Sequence, residues 1–263
     1  MEDIKIRFQS KVTTDDKNND VVSAIYKYSK KSDPAIVVIH GFTMRKEDFM
    51  SYGDYLNSYG ISTWHIDLPY HGERKNKERD YNKKPLSAEE IKSGLEQALS
   101  DIVKSSKMLK QIGHKKVGIA GYSLGGILTL TTLGRTKEFE RGLVIGAGGD
   151  LSDLILNSPI STDIARELKK RGVNYEMLTE MLKEFEPCNY ARNIDPNSLL
   201  MINGIRDSIV PQKNTELFVR NMKGSPLRQI EDEDHFRFDL TTNTVTDFVY
   251  KFANDKQGVV QIC

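Results

Sequence analysis

The feature that most constrains this chain is a series of short apolar runs, each followed by a helical pattern. Residues 35–39 read Ala-Ile-Val-Val-Ile, unbroken and rich in β-branched side chains, the mark of a strand buried on both faces. Similar runs fall at 61–66, 116–120, 142–147 and 198–203. Between them, apolar residues recur at helical spacing. Residues 47–59 form one such stretch, stopped by Gly60, and 88–112 another, carrying Ile91, Leu95, Ala98, Ile102, Val103 and Leu109 and ended by Gly113. Residues 4–10 and 21–28 alternate apolar and polar as antiparallel strands do, with a polar hairpin loop between them. Residues 227–230 give a last short strand, and helices are expected from Pro211 to about 222 and over 241–252. Alternating strand–helix units of this size predict an α/β fold: a mostly parallel sheet with helices on both faces. The alternation breaks over 151–196, where two amphipathic helical patterns (162–171 and 174–185) appear without a strand. The expected organisation is therefore a core of residues 1–150 and 197–263, with 151–196 inserted as a helical cap after the sixth strand.

In such sheets the working groups gather beyond the C-terminal strand ends. Residues 121–126, Gly-Tyr-Ser-Leu-Gly-Gly, stand at one such end, between an apolar run and a helix. The G-x-S-x-G spacing suits a tight turn that lifts a serine hydroxyl above the sheet. A serine hydroxyl is a weak nucleophile near neutral pH and needs a base, which in turn needs an acid to hold it. The five histidines are His40, His65, His71, His114 and His235, and only His235 follows Ser123. In the order serine, acid, histidine, the base is then His235. Asp207, just past the 198–203 strand, is the matching acid, whereas Asp195 precedes that strand and falls at the opposite edge. Oxyanion donors are expected from two backbone N–H groups, Leu124 in the elbow and Phe42 in the His40-Gly41-Phe42 turn, with Thr43 as the neighbouring choice. His40 is read as a brace for that turn and His71 as an organiser of its own loop.

These segments together resemble the α/β-hydrolase superfamily, in its serine esterase/lipase or dienelactone-hydrolase-like branch. The resemblance rests on residues 40–42, the Asp-Leu-Pro-Tyr-His-Gly loop at 67–72, the elbow at 121–126, Gly-Ile-Arg-Asp at 204–207 and Asp-His-Phe at 234–236, which span most of the chain in family order. It implies an eight-stranded sheet whose second strand is antiparallel, a Ser123–Asp207–His235 triad and a lid after the sixth strand.

Other chemistries find little support. The histidines lack metal-ligand spacing, no phosphate-binding loop occurs, and no cofactor is expected. Lys and Arg number 38 against 37 Asp and Glu, a balance that argues against a nucleic-acid partner. No run suits stable membrane insertion, the N-terminus does not read as a signal peptide, and Cys188 and Cys263 make no disulfide framework. A cytoplasmic setting is expected, with a small-molecule ester as partner and a homodimer left open. Tyr122 beside the serine, and Leu154, Ile155, Met177 and Met181 in the insert, are candidate pocket residues. Leu178 and Phe185 belong to the same apolar set, and for most of these insert residues plain packing is the preferred reading. The expected activity is cleavage of carboxylic esters with short to medium acyl chains through an acyl-enzyme. Alternatives on the same triad are amidase or peptidase, thioesterase and acyltransferase. Peptidase action ranks lower because no long segment for a propeller domain precedes the first strand. A small-molecule receptor on a hydrolase scaffold is less favoured still, since all three triad members are present.

Overall fold

The computed structural model describes residues 3–29 and 33–254; Cys263 lies outside them. Eight strands form one sheet: β1 (Ile4–Gln9), β2 (Val21–Lys27), β3 (Ala35–Ile39), β4 (Ser62–Ile66), β5 (Val117–Tyr122), β6 (Gly142–Ile145), β7 (Leu199–Gly204) and β8 (Leu227–Glu231). Their spatial order is β1-β2-β4-β3-β5-β6-β7-β8. β2 runs antiparallel to both β1 and β4, and every pairing from β4 onward is parallel.

The helices are α1 (Met50–Ser58), α2 (Ala88–Gln111), α3 (Leu124–Arg135), α4 (Leu151–Asn157), α5 (Thr162–Lys170), α6 (Tyr175–Leu182), α7 (Gln212–Arg220) and α8 (Asn243–Asn254). The 47–59 pattern resolves into a 3₁₀ turn, Lys46–Phe49, leading into α1. α2 starts at a capping box. The Ser87 hydroxyl accepts the Glu90 N–H, and the Glu90 carboxylate accepts the Ser87 N–H at 2.8 Å, so two otherwise orphaned donors are satisfied. α4 is an element that sequence periodicity did not announce. It is only seven residues long and begins at Asp150, whose carboxylate accepts the Asp153 N–H from a left-handed backbone, φ 61°.

The continuous apolar runs are explained by helices on both faces of the sheet. Side chains alternate across a strand. Val37 and Ile39 of β3 therefore join Val117 and Ile119 of β5 on the face covered by α2 and α3. Ile36, Val38, Ala120 and Leu143 meet Leu56 of α1 and Phe248 and Phe252 of α8 on the other face. Each fully buried side chain of this kind contributes roughly 1.5–3 kcal/mol over leaving it in water. Among the described residues, no helix is long and apolar enough to cross a membrane.

Candidate active site

The chain leaves β5 and turns at Ser123, which has φ 54° and ψ −119°, a region that non-glycine residues rarely occupy. The turn is held from both sides. The Ser123 N–H donates to the carbonyl of Ile145 at the end of β6 (2.8 Å), and its own carbonyl accepts the Ile127 N–H as α3 begins. The two motif glycines are required by close approach. A Cβ on Gly121 would lie 2.1 Å from the Gly125 carbonyl oxygen, and one on Gly125 would lie 2.3 Å from the carbonyl oxygen of Ile39.

His235, in the loop after β8, meets this serine. Its Nε2 lies 2.8 Å from Ser123 Oγ, and its Nδ1 lies 2.7 Å from Asp207 Oδ2. With Nδ1–H donating to the carboxylate, Nε2 is the free acceptor for the serine hydroxyl. Asp207 is fixed in turn, since its Oδ1 accepts the N–H groups of Ile209 (2.9 Å) and Val210 (2.8 Å). All three residues are buried, at 6%, 5% and 2% exposed for Ser123, Asp207 and His235, so these bonds act with little screening by water. The Tyr122 hydroxyl donates to the His235 carbonyl, and its ring lies 5.1 Å from the imidazole.

Phe42 and Leu124 flank the serine, and both line the same cavity as Ser123. Among the described residues, no hydrogen bond of the chain takes up either N–H. His40 braces the turn before Phe42. Its Nδ1–H donates to the Gly41 carbonyl (2.8 Å) while Nε2 accepts the Leu68 N–H (3.0 Å), an arrangement that requires the neutral ring. Burial, reinforced by the nearby Lys46 and Arg74, pushes its pKa down to about 4. His71 likewise bonds within its own loop, to the Pro69 carbonyl at 2.7 Å.

The cavity, of about 130 Å³, is almost wholly apolar. Leu154 and Ile155 of α4 line it. Tyr122, Met177 and Met181 do not. Tyr122 points under the serine, in contact with His235 and Phe49. Met177 is 55% exposed on α6, and Met181 packs against the core. The opposite wall is Ile91, Leu95 and Ala98 of α2. Periodicity marked these three as an apolar stripe but not as pocket, because a stripe facing a core and a stripe facing a cavity have the same spacing. No cluster of His, Cys, Asp and Glu able to hold a metal occurs among the described residues.

Sheet order, the tight turn at Ser123 and the Ser–His–Asp array at the strand ends define an α/β-hydrolase. More narrowly, the chain belongs to the prolyl oligopeptidase family, whose sequence pattern matches residues 94–259, more than half its length. It is similar to a carboxylesterase of Bacillus subtilis, 28% identical over 60% of this chain. That match spans 59% of the carboxylesterase, under two thirds of its length. Among solved structures it resembles an esterase of Pyrococcus furiosus (19% identity, TM-score 0.65, covering 95% of this chain and 91% of that one). It also resembles an acetyl xylan esterase of Paenibacillus sp. R4 (15% identity, TM-score 0.72, covering 93% and 82%). At these identities the structural likeness speaks to the fold.

Proposed function

We propose that this protein is a serine hydrolase that cleaves carboxylic esters with short to medium acyl chains. The observation that carries the reading is Ser123 at φ 54°, with Oγ 2.8 Å from His235 Nε2 and that ring 2.7 Å from Asp207. His235 takes the hydroxyl proton as Ser123 attacks the ester carbonyl, and Asp207 stabilises the resulting imidazolium. The N–H groups of Phe42 and Leu124 receive the oxyanion. His235 then protonates the leaving alcohol, and water activated by the same ring releases the acyl group from Ser123. The apolar cavity is the acyl site, bounded by α2, α3 and α4. Residues 151–196, with α4 to α6, act as its cap, and the cytoplasmic setting belongs to this reading.

Ser123→Ala should lower turnover of p-nitrophenyl butyrate by at least about 10⁴-fold and abolish labelling by a fluorophosphonate. Turnover near the unsubstituted rate would end the proposal. A second reading, amide or peptide cleavage on the same residues, is favoured by the family to which the chain belongs. Rates on acyl p-nitroanilides set against the matching p-nitrophenyl esters separate the two, and a higher kcat/KM on the anilides would favour the peptidase.

A further inference from the structure

We propose that Lys46 and Asp67 form a positioning clamp for the oxyanion donor at Phe42. The inference rests on the serine hydrolase reading and adds to it a pair of residues that touch neither substrate nor Ser123.

The segment from His40 to Lys46 leaves β3, carries Phe42 past the serine and enters the 3₁₀ turn before α1. It is tied to the end of β4 on both sides of Phe42. On one side, His40 links the Gly41 carbonyl to the Leu68 N–H. On the other, Lys46 meets one carboxylate twice: its backbone N–H reaches Asp67 Oδ1 at 3.0 Å, and Nζ reaches Asp67 Oδ2 at 2.7 Å. Both side chains are buried, at 1% and 0% exposed. The chain beyond β4 closes around the carboxylate. The Glu73 N–H donates to Oδ2 at 3.0 Å, and Gly72 has φ +51°, with so little room that a Cβ there would lie 2.1 Å from Oδ1. Glu73 and Glu47 each lie 3.0 Å from Lys46 Nζ, so the ammonium is fully partnered.

A buried ion pair of this kind gives little net stability over an apolar replacement, because removing both charges from water offsets their attraction. What it supplies is fixed geometry. Thr43, between Phe42 and the clamp, sits at φ 66°, a conformation that a loosely held loop would relax. Releasing the clamp lets the Phe42 N–H drift from the point where negative charge develops. That affects the transition state more than substrate binding.

The test is the double variant Lys46→Met/Asp67→Asn, which leaves no unpaired buried charge. It is assayed on p-nitrophenyl butyrate with active sites counted by fluorophosphonate titration. The expected result is kcat per titrated site lower by about 10- to 100-fold with KM within about twofold. Unchanged kcat per titrated site with a lower Tm would make the pair merely structural and overturn the proposal, as would a raised KM at unchanged kcat. If the double variant does not fold, the nearly isosteric Asp67→Asn is measured alone, with about a tenfold loss expected and no loss overturning the clamp. An unsubstituted protein that is inactive on esters and anilides alike and takes no fluorophosphonate label would instead defeat the hydrolase reading itself, so the two failures are distinct.

Discussion

Ser123 is held in a strained conformation by the Ile145 carbonyl at the end of β6 and by the first turn of α3. The strain places Oγ against His235 rather than against the chain's own carbonyls. Asp207 repeats the logic with hydrogen bonds: two backbone N–H groups fix one carboxylate oxygen, leaving the other for His235 Nδ1. Asp207→Asn keeps that shape but turns an amide N–H toward the ring and favours the wrong tautomer. Ester turnover should fall on the order of 10³- to 10⁴-fold with the fold intact by circular dichroism. A loss below tenfold would mean that the acid does not orient the base. This residue-level arrangement was legible in the sequence because only one histidine follows the serine and the acid stands at a strand end.

Between elements, what matters is which faces meet. α2 is anchored by its capping box and lays Ile91, Leu95 and Ala98 against the cavity. α4 closes the other side with Leu151, Leu154 and Ile155. Filling this space should shorten the accepted acyl chain. Leu95→Phe is expected to lower kcat/KM for p-nitrophenyl hexanoate about tenfold or more relative to the acetate. Chain-length profiles that coincide with those of the unsubstituted protein would remove the cavity as the acyl site. Met177 makes the contrast: it belongs to an amphipathic pattern, yet it stands exposed on α6 because other residues of that helix, Leu178 and Leu182, take the buried positions.

Across the whole molecule, three histidines among the described residues are kept neutral at a cost that depends on pH. Burial is the main cause for His40 and His65, whose pKa values are pushed down to about 4, and for His71, pushed down to about 3. In the unfolded chain each takes up a proton near pH 6.5. Below that value the unfolded state binds more protons than the folded one. The stability present above pH 6.5 is therefore lost as pH falls toward 4, by about 1.4 kcal/mol per pH unit for each ring. Denaturant titrations between pH 6.5 and 4 should show this slope. His65→Gln, on β4 where the ring bonds Thr63, should remove one ring's share of it. An unchanged slope in that variant would show that His65 does not remain neutral in the folded state.

The linear order of residues determined the alternation of strands and helices, the serine turn, and the pairing of Ser123 with Asp207 and His235. Periodicity, glycine spacing and chain order are properties of the sequence itself. Only the tertiary structure decided that Tyr122 lies beneath the serine, that α2 supplies the cavity wall, and that Lys46, within the charged segment 45–48, is buried against Asp67. An apolar stripe tells a helix which side to hide, but not which neighbour will cover it. A lysine among charges reads as solvated until the end of a separate strand brings a buried carboxylate within 2.7 Å.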